Sequence, residues 1–215
     1  MSIPATKADR IQLLSPWLDH WWIRDDRLNN FRSESYAVLT PAGKVLIDPL
    51  PLAAEALAGL GQVAAICLTQ RNHQRSAWAY RRKLRVPVYA PRGDHALDET
   101  PDQEFVEDGD LPDRLAAIAV RGLPNGLALV VESDQGTGAI FCGDLITRDE
   151  DGPYRFPVEP KFFDPAEALH GLERLTEFPA DSLCPAHGAP AATGCRELLQ
   201  GVAERERRAA KPPGK

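Results

Sequence analysis

Apolar residues along the chain fall into short strand-like runs and helix-like stripes, and the two alternate. Ser35-Tyr36-Ala37-Val38-Leu39-Thr40 and Val45-Leu46-Ile47-Asp48 flank the turn Pro41-Ala42-Gly43-Lys44, which predicts a hairpin. Trp21-Trp22-Ile23 before it reads as a short edge strand. Pro51 suits a first helical turn, and the stripe Leu52, Leu57, Leu60 running to Gly61 predicts a helix with a glycine stop. Val63 to Thr69 is continuously apolar, as in a strand buried on both faces. A helix over about Gln74–Leu84 and a strand at Val86–Tyr89 complete a βαβ unit.

The second half repeats the scheme. Leu115–Val120, Leu127–Glu132 and Ala139–Cys142 predict strands. Asp164-Pro165-Ala166-Glu167 is a helix start with a capping aspartate, a proline in the first turn and a glutamate three residues after the cap. Leu169, Leu172 and Leu175 mark the buried side of that helix. Ser182-Leu183-Cys184 predicts a strand, and a last helix opens at Thr193 or Gly194 and runs to about Arg208. Two βα-rich halves without a long linker imply one domain over 1–208, two sheets packed together with helices outside. The tail 209–215, with Pro-Pro-Gly, is expected to be disordered.

Composition changes this picture little and narrows the partners. The 215 residues are 43% hydrophobic and 26% charged, ordinary for a globular chain and unlike collagen, a disulfide scaffold or a disordered segment. No apolar stretch nears the roughly 20 residues of a membrane span. Met1–His20 lacks the pattern of a signal peptide, so a cytoplasmic protein without membrane partners is expected. A net charge of −6 argues against nucleic acid, and the basic run Arg71, Arg75, Arg81, Arg82, Lys83, Arg85 reads as a solvated helix face. Cys67, Cys142, Cys184 and Cys195 show no C-x-x-C spacing and read as small buried apolar residues. Trp21-Trp22, read as exposed, suggests a homodimer contact.

Chemistry is expected in the loops that follow apolar strands, where α/β folds place their sites. Four such loops carry polar groups: Thr69-Gln70-Arg71-Asn72-His73-Gln74-Arg75, Gly122-Leu123-Pro124-Asn125-Gly126, Gly143-Asp144 and Pro185-Ala186-His187-Gly188. Their placement lets them converge on one rim. His20, His95 and His170 read as packing or solvated residues, and Asp48 as either a strand-end residue or part of the site. No G-x-S-x-G elbow, phosphate loop or dinucleotide fingerprint is present.

From about Tyr36 to about Leu199 this order resembles the metallo-β-lactamase superfamily. The resemblance implies a four-layer αββα sandwich of two mixed sheets with outer helices, and a zinc-dependent hydrolase site. Asp48 ends the strand that the superfamily ends in aspartate. Gly143-Asp144 matches its bridging aspartate, and His187 its last histidine. In the register of its T-H-x-H-x-D-H loop, the ligand positions hold Gln70, Asn72, Gln74 and Arg75, and the P-G-H turn is shortened to Leu123-Pro124-Asn125-Gly126 without a histidine. Leu68–Ala77 is similar to the L-T-N-R-x-H-x-R-x-A loop of one branch, including His73 and Arg75.

Ligand number then frames two readings. A catalytic zinc needs about three protein ligands, and Asp144 with His187 supplies two. With His73 as a third, the set would also suit iron or manganese. However, His73 lies one residue beyond the second-histidine position, a shift that turns a side chain away on an extended loop. In the leading reading the metal site is eroded, with no resident cofactor. There Arg75 or Arg71 neutralises Asp144, and Arg71, Arg75, Asn72 and Lys161 bind a small anionic ligand. The alternative is a metal-dependent ester, thioester or lactone hydrolase, with one zinc, iron or manganese ion on His73, Asp144 and His187, where Asp144 and His187 serve catalysis.

Overall fold

Strands that are apolar on both faces need cover on both sides, and this requirement builds the whole architecture. The computed structural model describes residues 6–28, 30–122, 126–132, 137–150, 152–157 and 164–209. Seven strands form one sheet in sequence order: β1 (Gln12–Ser15), β2 (Leu18–Asp25), β3 (Phe31–Thr40), β4 (Gly43–Ile47), β5 (Val63–Cys67), β6 (Val88–Pro91) and β7 (Gln103–Phe105). The first four pair antiparallel and the last four parallel. A second sheet, in the order β11-β10-β9-β8, comprises β8 (Leu115–Ala119), β9 (Leu127–Glu132), β10 (Gly138–Gly143) and β11 (Ser182–Pro185). Its β10 and β11 are parallel and its other pairs antiparallel.

The period of two along each strand sorts side chains into three apolar layers. Tyr36, Val38, Val45, Ile47 and Cys67 of the first sheet meet Leu129, Val131, Ala139 and Phe141 of the second. The intervening residues Ala37, Leu46 and Ile66 face outward against helices α1 (Ala54–Gly59) and α2 (Ala77–Leu84). Val130, Ile140 and Leu183 face α3 (Pro165–Thr176) and α4 (Cys195–Ala209). The result is the four-layer αββα sandwich of two mixed sheets that the resemblance implied. All four cysteines are free and buried.

Several local expectations change. Trp21-Trp22-Ile23 is not an edge strand: β2 pairs on both sides, and the edge is β1, too short to announce itself. Trp21 is fully buried, its indole N–H donating to Leu50 O (3.1 Å), and Trp22 is half-buried beneath the Arg32 guanidinium. Neither is the open aromatic pair expected for a dimer contact. The helix expected from Pro51 starts at Ala54, because Pro51 and Ala53 exchange main-chain hydrogen bonds with Ala8 instead. Helix α2 starts at Ala77 rather than Gln74, since 70–76 is wound into turns. Asp164 caps α3 as expected, accepting from Ala166 N and Glu167 N. Ala209 closes α4, whereas the rest of the expected tail, Leu123-Pro124-Asn125 and Lys161 lie outside the described residues. Among the described residues no helix is long and apolar enough to cross a membrane.

Candidate functional site

Parallel strands deliver their following loops to one end of a sheet, and here both sheets deliver theirs to the same cleft. The loop after β5 brings His73, the end of β10 brings Asp144, and the loop after β11 brings His187. One ligand-type atom from each lies within 4.8 Å of the others. His73 Nε2 is 3.2 Å from Asp144 Oδ2, and His187 Nε2 is 3.4 Å from Asp144 Oδ1. The two imidazole rings stand edge to face with centroids 6.1 Å apart.

His73 reaches the cleft because its loop is not extended. His73 N bonds back to Gln70 O (3.0 Å), so the chain turns and the alternation of a strand does not apply. This overturns the expectation that the one-residue displacement would point His73 elsewhere.

Each imidazole is oriented by an acceptor on its far nitrogen. His73 Nδ1 lies 2.9 Å from Asp48 Oδ2, and His187 Nδ1 lies 3.2 Å from Arg32 O. A carboxylate and a main-chain oxygen can only accept here, so both Nδ1 atoms carry hydrogen. Ser33 Oγ also lies 3.2 Å from His187 Nδ1. Asp48 is in turn held by Thr69, whose main-chain N–H donates to Oδ1 (2.8 Å) and whose hydroxyl donates to Oδ2. Asp48 is therefore a site residue as well as a strand-end one. Thr69 lies in a loop that the sequence singled out, whereas Arg32 and Ser33 were not signalled, because no motif marks a residue that acts through its main chain or by a hydroxyl at a histidine's far nitrogen.

Charge in the cleft is strongly coupled. Burial pulls the His73 imidazole down, but the Asp144 and Asp48 carboxylates outweigh it and hold it up at about 9. Burial would raise Asp144, yet His73, His187 and Arg75 hold it well below the usual carboxylate range. Burial lowers His187 to about 4, with Asp144 opposing and Arg75 and His73 assisting. With Nδ1–H directed to Arg32 O, His187 turns the lone pair of Nε2 toward Asp144 Oδ1. That oxygen is buried and has no hydrogen-bond partner among the described residues. Two acceptors facing each other across 3.4 Å, beside a second imidazole, are a donor set that fits a cation.

These shifts set the stability of the metal-free protein. The raised His73 stabilises the fold fully below its unfolded value near 6.5, and that contribution is lost as pH rises toward 9. His187 works the other way: between about 6.5 and 4 the unfolded chain takes up a proton that the folded chain refuses, so stability falls with falling pH. Metal-free protein should therefore have its highest urea midpoint near pH 6.5 and lose stability on both sides. A midpoint still rising from pH 6.5 to 9 would contradict these assignments.

The remaining expected site residues are placed differently. Arg71 binds Glu104 Oε1 (2.7 Å), Pro91 O (3.1 Å) and His95 O (2.5 Å), tying down the loop after β6. Arg75 is buried and donates to the main-chain oxygens of Glu34, Asp48 and Ala186. At hydrogen-bonding distance Asp144 faces His73, and Arg75, anchored on these carbonyls, acts on it through its charge. Gln70, with its amide turned to suit its neighbours, accepts from Asp144 N (2.8 Å) and donates to Asp144 Oδ2 (3.2 Å) and Asn72 Oδ1 (3.1 Å). Asn72 touches the site through that amide. His20 is buried against the Glu34 carboxylate, and His95 and His170 are exposed, consistent with packing and solvated roles.

Gly143 makes room for this arrangement. Its φ is +53°, and a Cβ there would stand 2.7 Å from the Gln70 amide and 3.1 Å from Thr69 Oγ1. Gly143→Ala should cost about 1–2 kcal/mol from the left-handed backbone alone and push Gln70 off Asp144. An unchanged urea midpoint would refute this.

The sequence matches the family described as the metallo-beta-lactamase superfamily over residues 12–182. Solved structures agree in fold. A metallo-beta-lactamase from Pontibacter korlensis superposes with a TM-score of 0.70 at 17% identity, covering 92% of this chain and 98% of that one. One from Pseudomonas aeruginosa in a mono-zinc form gives 0.69 at 15% identity, covering 96% and 98%. One from Hirschia baltica gives 0.66 at 13%, covering 94% and 98%. A sequence search of curated proteins finds no match.

Proposed function

This chain belongs to the metallo-beta-lactamase superfamily, and on that premise we propose that it is a single-ion hydrolase of small esters, thioesters or lactones. Its site would hold one divalent ion on His73, Asp144 and His187. The observation that carries the reading is the buried Asp144 Oδ1, which lacks a hydrogen bond among the described residues while the His187 Nε2 lone pair faces it. Two histidines and a carboxylate suit zinc, iron or manganese. Such an ion would supply Lewis-acid polarisation of a carbonyl and acidification of water.

The protein's own groups do the rest. Asp48 and the Arg32 carbonyl keep both Nδ1 atoms protonated, so both Nε2 atoms stay available as donors to an ion. Gln70 fixes the Asp144 carboxylate from its main-chain side. Ligand positions of the superfamily's loop hold Gln70, Asn72, Gln74 and Arg75, which supports one ion rather than two.

A second reading has its own support. His73, held protonated near neutral pH, satisfies Asp144 Oδ2 as an ion pair without a metal. On that reading the protein keeps the fold with an eroded site and binds a small anionic molecule.

Metal analysis separates the two. After exposure to zinc, iron and manganese and removal of excess, the hydrolase reading expects about one equivalent bound, because a three-ligand site retains metal. It also expects esterase or lactonase activity that is lost together with the metal in His187→Ala. Less than about a tenth of an equivalent would sink the hydrolase reading in favour of the eroded one.

A further inference from the structure

Arg75 holds the supports of both His73 and His187. Its Nη1 donates to Glu34 O in β3 and to Asp48 O just after β4 (2.9 Å), and its Nη2 to Ala186 O just after β11 (3.4 Å). Two of these oxygens already have partners: Asp48 O accepts from Ser35 Oγ (2.6 Å), and Ala186 O accepts from Glu34 N (2.9 Å). Asp48 orients His73 through its carboxylate, and Ala186 immediately precedes His187. The three carbonyls come from both sheets, so one side chain spans the cleft from beneath.

The backbone bears the mark of this arrangement. Asp48 (φ +46°) and Arg75 (φ +39°) both adopt the left-handed region that non-glycine residues avoid. Such conformations persist where the surroundings over-determine them. At Asp48 the surroundings are Arg75 and Ser35 on the carbonyl and Thr69 on the carboxylate. At Arg75 they are the three carbonyls its own guanidinium holds.

We propose that Arg75 is a positioning residue, a two-armed clamp whose hydrogen bonds to Asp48 O and Ala186 O set the separation and orientation of His73 and His187. A guanidinium suits this work because it is planar and presents its donors in a rigid fork. The inference rests on the single-ion reading only for the affinity measurement below.

Arg75→Lys keeps the charge and loses the fork. Zinc affinity, measured by competition with a chromophoric chelator, should fall about 10–100-fold, as when other outer partners of a metal ligand are removed. In the metal-free variant, the nitrogen resonances of the His187 imidazole should move from the single Nδ1–H tautomer toward a mixture. Affinity within about threefold of the unsubstituted protein, or an unchanged tautomer, would overturn the clamp. If the unsubstituted protein takes up no zinc, the single-ion reading fails, while the imidazole resonances still decide the clamp. If Arg75→Lys does not fold, the unsubstituted protein decides it. Resolved, slowly exchanging Arg75 Nη signals are expected, and a single averaged signal would overturn the proposal.

Discussion

Asp144→Ala is expected to abolish metal retention, lowering affinity by more than about 100-fold, the upper range for losing even an outer partner of a ligand. The carboxylate lies between both imidazoles, 3.2 Å from His73 Nε2 and 3.4 Å from His187 Nε2. Without it, two histidines remain, too few for a tight divalent site. The same substitution removes the charge that does most to raise His73, so the loss of stability between pH 6.5 and 9 should shrink in the metal-free variant. Equilibrium dialysis against zinc checks the first effect, and urea midpoints at the two pH values check the second. Retention of a full equivalent by the variant would place the ion elsewhere.

Phe141→Ala should destabilise the protein by about 3–5 kcal/mol, the usual cost of emptying a phenylalanine site in a packed core. Phe141 is 1% exposed in the layer between the sheets and meets Tyr36 edge to face, with centroids 5.3 Å apart. Against a total stability of roughly 5–15 kcal/mol that is a large fraction. The effect should reach the site, because Tyr36 spans the layer and its hydroxyl donates to Pro185 O (2.7 Å), two residues before His187. Urea unfolding at constant denaturant slope measures the loss. A change below about 1 kcal/mol would mean that the two sheets are not closely packed there.

Much of the architecture was legible because its cause is local. The runs at 63–69 and 139–142 are apolar on both faces, and only a strand covered on both sides tolerates that. Asp164-Pro165 announces its helix because a cap is a contact between near neighbours. Strands β1 and β7 were not legible, since they are only four and three residues long and exist through pairing with a neighbour. The late start of α1 has the same origin: Ala8, far away in the chain, claims the main-chain groups of Pro51 and Ala53.

For the site, the types and approximate places of Asp144, His187 and His73 could be read along the chain, because strand ends followed by polar residues are a local pattern. Which of them meet could not. Whether His73 turns inward depends on a turn closed by Gln70 O, and whether Arg75 pairs with Asp144 depends on which acceptors compete for it. Linear order thus specified the layers and the loops that bear chemistry, since hydrophobic period acts over a few residues. The convergence of three ligands and the partners of two arginines emerged only on folding, because both are contests among groups far apart in the chain, settled by distance in space.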